Sequence, residues 1–244
     1  MQKLLWAELQ KLRRSKIIWI TVFATVLIAI IVFIAGGVVH DGIRDIDSAG
    51  WYMTVIQPWA TLFVLPAVIS LLGSYMICRE EQEDTIKSLR LIPINEAKLT
   101  ASKMIITFAF SILIYLLLFV IAFLAESILH FSDLSLGMSL SFLKTYFLNG
   151  LGVFLAISPI IALVSNMKKS YWLALVLTEI YSFAGIFMSM SNTLKTFYPI
   201  TAVFGLSGYY ETTIENRMGS IAILLLCGCL SALILKGLIH RGRK

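Results

Sequence analysis

The side chains best placed to do chemistry in this sequence are acids, and they lie in two contrasting settings. The first is a charge-dense stretch, Arg79-Glu80-Glu81-Gln82-Glu83-Asp84-Thr85, that interrupts long apolar sequence. Asp84 or Thr85 can accept backbone N–H bonds and cap a helix N-terminus. The helix would run from about Thr85 to Leu91, because Pro93 disfavours helical geometry at Ile92. Ile86 and Leu89, with Arg90 beside them, then share a face through i,i+3 and i,i+4 relations. A short helix with apolar knobs and charged edges suits a groove on a soluble partner. A helix resting on the bilayer would explain the amphipathicity but not the acids, which anionic lipid repels. The chemistry of this stretch, which ends at Lys103, is therefore recognition.

The second setting is Glu179, the tenth residue of the 21-residue apolar run 170–190. An ionisable group in mid-membrane is costly and usually faces a bundle interior or a wet cavity. Two roles stay open: a contact or gate for a cationic substrate, or a neutral packing residue bonded to Asn149 or Ser158. The remaining residues do not assemble a catalytic set. His40, His130 and His240 are far apart, no H-E-x-x-H is present, and Glu80-Glu81 lacks the intramembrane histidines of a membrane protease. No G-x-x-x-x-G-K-[ST] loop is available to cradle ATP. Cys227-Gly228-Cys229 has no companion ligands, so it reads as small residues packed in a membrane helix, with no metal bound.

The elements that must position these acids are set by composition. Of 244 residues, 59% are hydrophobic and 14% charged, whereas a soluble domain is nearer half apolar and a quarter charged. The excess falls into runs long enough for a helix of about 20 residues to cross a bilayer. They do not alternate as barrel strands do. The expected fold is an all-α membrane protein, one transmembrane domain over 1–244, with six spans. These are Ile17–Val39, Trp59–Cys78 with Pro66 inside, Met104–Ala125, Tyr146–Met167 with Ser158-Pro159, Ser170–Met190 and Met218–Leu235. The first run, 23 residues long without a cleavage site, reads as a retained helix and not as a signal peptide.

Lys and Arg near the span ends give the orientation. Sixteen lie on the side of the two termini and four, Arg44, Lys144, Lys195 and Arg217, on the other. Both termini and the segment 79–103 are therefore expected in the cytoplasm. The net charge of +6 is explained by topology and anionic lipid, with no call for nucleic acid. The outer loops carry seven acids, including Asp47, Glu126 and Asp133.

Two further segments stand out. Residues 1–16 place Leu5, Leu9 and Leu12 on one helical face with bases largely elsewhere, as in a helix lying along a membrane surface. Within 191–217, the uncharged, aromatic-rich part Thr196–Tyr210 holds Tyr198 and Phe204 among its rings. It is too short and broken to span, and aromatic rings favour the interface. A re-entrant outer hairpin is expected.

Taken in order, Arg79-Glu80, Glu81 and Glu83, Thr85, Leu89-Arg90-Leu91, Pro93 and Lys103 resemble the cytoplasmic coupling segment of ABC-2-type transporter permeases. The family's usual Gly before the Thr is Asp84 here, which keeps the capping logic. The amphipathic start, six spans and broken outer segment extend the resemblance over the whole chain. The length, without large outer domains, is similar to permeases of bacitracin-type and lantibiotic self-protection transporters. The resemblance implies a non-catalytic export subunit in a bacterial cell membrane, with no cofactor of its own. ATP and Mg would be bound by a partner ABC ATPase dimer, and a second permease, identical or homologous, would complete the pore. The implied coupling residues are Glu80, Glu83, Asp84, Thr85, Ile86, Leu89, Pro93 and Lys103. Glu179, Tyr198 and Phe204 would line the path of a peptide substrate. The competing reading is an ion-coupled secondary transporter using Glu179, or an ABC-2 permease for sodium or cytotoxic peptides. Secondary transporters usually show internal repeats and several buried polar groups, and neither is evident in the sequence.

Overall fold

The computed structural model describes residues 2–13, 15–40, 42–82, 96–166, 171–191 and 193–241. The apolar runs fold as helices because a bilayer leaves no other way to satisfy the backbone. In chain order these are α1 (Gln2–Arg13), α2 (Ile17–Gly36), α3 (Trp51–Phe63), α4 (Leu65–Gln82), α5 (Glu96–Leu129), α6 (Leu136–Asn166), α7 (Trp172–Ser189), α8 (Leu194–Phe197), α9 (Pro199–Ser207) and α10 (Ile214–Arg241). Five of them, α2, α5, α6, α7 and α10, are long and apolar enough to cross a membrane. The pair α3 and α4 makes a sixth span if counted together.

That second span departs most from its expected limits. It starts at Trp51, not Trp59, and is broken at Val64, where the two halves bend by 47°. Val64 leaves helical geometry with φ −132°. The cause is local. Pro66 has no N–H for the carbonyl of Leu62 and sterically disfavours helix at Leu65, so it is accommodated only in the first turn of a new helix. Pro159, by contrast, sits inside α6 without ending it. The Ser158 hydroxyl donates to the Leu155 carbonyl at 2.9 Å, replacing the N–H that Pro159 lacks.

The α5 and α6 helices, 34 and 31 residues long, form an antiparallel pair; α5 runs beyond its expected span at both ends and α6 at its start. Their approach is close at Gly150. A Cβ there would lie 2.9 Å from the Ile112 Cα, and the Ser111 hydroxyl donates to the Gly150 carbonyl at 2.7 Å. Small residues let membrane helices meet in this way. The main core joins α2, α3, α4, α5, α6, α9 and α10 through Ile28, Ile56, Leu65, Leu118, Ile157, Phe204 and Leu224, all buried.

The connection from α2 to α3 is ordered into a small ledge. Val39–His40 and Ile43–Arg44 pair as two-residue antiparallel strands, followed by a 3-10 turn, Asp45–Asp47, with Ile46 buried. Gly50 precedes α3 with φ +82°, a left-handed conformation suited to glycine.

Candidate functional site

Residues 83–95 lie outside the described residues, and with them Glu83, Asp84, Thr85, Ile86, Leu89 and Pro93. The structure describes both flanks. The α4 helix continues through Gln82, so Glu80 lies on its last turns and not in a loop. The α5 helix begins at Glu96 and carries Lys103, which is 2% exposed. A second, smaller core binds the two flanks to the N-terminus: Leu12 and Ile17 pack with Leu72 and Met76 of α4 and Ile106 of α5. The α1 helix thus rests on the ends that bracket 83–95. Its buried side is rotated from the expected one. Glu8 is buried and bonded to Lys11 at 2.7 Å, whereas Leu9 is 52% exposed. The Arg79 guanidinium lies 5.6 Å from the centre of the Tyr75 ring, whose edge meets Tyr171 before α7.

Of the three residues expected along a substrate path, Phe204 belongs to the main core and Tyr198 packs against it, while Glu179 does not. Phe204 is fully buried and packs against Tyr209 and Tyr210, with centroids 5.2 and 5.4 Å away. Tyr198 is half-buried, stacks obliquely on Tyr181 at 5.0 Å and donates its hydroxyl to the Tyr181 carbonyl at 2.6 Å. Glu179 is partly exposed on α7. It stands between a buried face, Ala174, Thr178, Ser182 and Gly185, and an exposed apolar stripe, Trp172, Val176, Ile180, Phe183 and Phe187. Asn149 and Ser158, the expected partners, are engaged elsewhere. Among the described residues the Glu179 carboxylate has no hydrogen bond or ion pair.

The aromatic segment after α7 folds into the bundle as α8 and α9, and its second part is enclosed by protein. Ile200, Thr201, Ala202, Val203 and Phe204 are all 0% exposed. Glycines on three surrounding surfaces make the room: Gly152 faces Val203, Gly185 faces Ile200, and Gly205 of α9 faces Ser220. The Tyr198 side chain therefore anchors α9 to α7, and Phe204 fills the core beneath.

A polar interior crosses the α3, α5 and α6 contact, and it escaped sequence reasoning. The Asn149 amide donates to Gln57 Oε1 at 2.9 Å, and Gln57 in turn donates to the Met53 carbonyl at 2.9 Å. Tyr146 donates to the same carbonyl at 2.8 Å, while the Thr61 and Tyr115 hydroxyls share a 2.8 Å bond. Glu126 was expected in an outer loop, yet it lies on α5 and is 1% exposed. A polar residue embedded in an apolar run was the available signal at Asn149. Gln57 fell just outside the expected second span.

A bundle of five or six apolar helices with a broken second span and an amphipathic start defines a multi-pass membrane protein. Residues 4–185 match the family described as ABC-2 family transporter protein, and the chain belongs to that family. It is also similar to the bacitracin transport permease protein BCRB of Bacillus licheniformis, at 26% identity over 146 residues. The match covers 60% of this chain and 69% of that relative.

Proposed function

We propose that the chain is the permease of an ATP-driven exporter that removes peptide antibiotics, of bacitracin or lantibiotic type, from a bacterial cell membrane. The permease performs no catalysis. A dimeric ABC ATPase binds ATP and Mg and docks on the cytoplasmic segment 79–103, where Leu89 and Ile86 fill its groove, Asp84 or Thr85 caps the helix, Pro93 ends it, and Glu80 and Glu83 supply charged edges. Lys103 seats the following helix. A second permease, identical or homologous, completes the assembly.

The observation that carries this reading is the small core of Leu12, Ile17, Leu72, Met76 and Ile106. It joins four helices, α1, α2, α4 and α5, at the two ends that bracket the docking segment. A push on that segment would therefore move them together. The similarity to a bacitracin permease supports the peptide cargo. So does the partly exposed Glu179 on the flank of α7: a carboxylate that borders lipid is costly, and a cationic cargo or a second permease would relieve that cost. Tyr198 lies on the accessible side of the buried α9, with Phe204 as its support.

The test is co-expression of the chain with candidate ABC ATPases, co-purification, and ATP hydrolysis measured with a panel of cationic peptides and with sodium. Stimulation by a peptide supports the reading. Stimulation by sodium alone would reassign the cargo, and failure to retain any ATPase would remove the exporter assignment.

A further inference from the structure

One titratable cluster is used by nothing described above. Glu126, near the end of α5, is 1% exposed, and its Oε1 accepts the Gly50 N–H at 2.5 Å. The same oxygen lies 3.0 Å from His130 Nδ1, and His130 Nε2 lies 3.1 Å from the Asp47 carbonyl. Glu126 Oε2 is buried without a hydrogen-bond partner among the described residues. The neighbouring Tyr146 cannot serve it, because its one hydroxyl proton goes to the Met53 carbonyl.

The hydrogen bonds impose a proton count. The Asp47 carbonyl only accepts, so His130 Nε2 must carry a proton. In neutral imidazole Nδ1 is then a bare acceptor, and it would face a carboxylate oxygen, which also only accepts. Both contacts are satisfied together only if one more proton resides on the pair, making an imidazolium beside a carboxylate or an imidazole beside a carboxylic acid. Without it either the Asp47 link or the Glu126 link is lost.

We propose that Glu126 and His130 form a binding site for one shared proton, and that this proton latches the ledge 39–50 onto the end of α5. The ledge is held at two points, Gly50 and Asp47, and both bonds converge on this pair. The nearby charged groups are Arg44 and Asp47, which pair with each other at 3.0 Å, together with Asp45 and Asp133. Tyr146 of α6 lies near Glu126, Tyr52 and Tyr209. None of these, among the described residues, donates to Oε2.

The closed latch binds one proton more than the open one. Its contribution is therefore complete at low pH and declines as pH rises through the titration of the closed pair.

Hydrogen exchange of peptides spanning 38–52, followed in the full chain in lipid nanodiscs, tests the idea. Exposure times are scaled for the intrinsic pH dependence of amide exchange. Wild-type protection should fall with pH, by up to about tenfold per unit between the titrations of the open and the closed pair. Glu126→Gln keeps an acceptor for Gly50 and removes the carboxylate that holds the shared proton on the pair, so its protection should stay nearly level. His130→Gln, at a partly exposed position, should also stay level and decides the matter alone if Glu126→Gln does not fold. Level protection in the wild type, or a wild-type slope retained in His130→Gln, overturns the proposal.

Discussion

Gln57 and Asn149, 92 positions apart, hold each other by a 2.9 Å hydrogen bond inside the bundle, and both are essentially without exposure. The bond ties α3 to α6. Asn149 Oδ1 stays buried without a partner among the described residues, so the pair is incompletely satisfied. Side-chain hydrogen bonds within membrane proteins contribute about 0.6 kcal/mol on average and up to about 1.7. Asn149→Leu should destabilise the protein by roughly this amount plus the cost of orphaning the Gln57 amide oxygen, about 1–3 kcal/mol. Gln57→Leu/Asn149→Leu together should recover part of the loss. Thermal unfolding in detergent across the four proteins measures the coupling, and strict additivity would show that the bond carries none.

The contact between α5 and α6 gives a sharper steric test. Gly150→Ala sets a Cβ against backbone at 2.9 Å, whereas Gly137→Ala meets nothing within 4 Å. Overpacking costs about 1–3 kcal/mol. Gly150→Ala should lower the unfolding midpoint and reduce the yield of monodisperse protein, while Gly137→Ala leaves both unchanged. Equal behaviour of the two variants would contradict the close approach.

Leu89→Asp addresses the docking segment. It should abolish peptide-stimulated ATP hydrolysis and retention of the ATPase, with membrane insertion and thermal stability unaltered. Full transport by this variant would sink the coupling assignment.

Glu179→Gln conserves shape and removes charge. Folding should be unaffected. If the carboxylate meets a cationic cargo, the tolerated dose of cationic peptides should fall while neutral peptides are handled as before. A uniform change for both classes would point to packing instead.

How much of this was legible in the sequence depended on whether a feature was local. Helix positions follow from apolar runs, and the long α2, α5, α6, α7 and α10 were readable from charge to charge. Even the sharp break at Val64 has a local cause, since Pro66 can kink a helix, although its angle is not written in the local sequence. Register across helices was hidden. Glu126 looked like one loop acid among seven, because burial depends on how far α5 continues past its apolar core. Asn149 looked like a partner for Glu179, and only the rotation of α6 toward α3 reveals Gln57. The enclosure of Ile200–Phe204 depends on glycines at 152 and 185 in other helices, which no local pattern announces.

The broken second span also has a mechanical meaning. From Leu65 to Arg79 the lower half is a rigid rod of about 22 Å at 1.5 Å per residue. One end adjoins the break at Val64 and the other leads toward segment 83–95. A tilt of about 10° at that break would carry the far end nearly 4 Å by simple leverage over that length. The end at the break is braced by Leu65 and Ile69 in the main core, while Leu72 and Met76 further along belong to the smaller core. The two ends of α4 are thus fastened to different clusters, and how much of the helix each cluster holds depends on where Pro66 falls in the sequence.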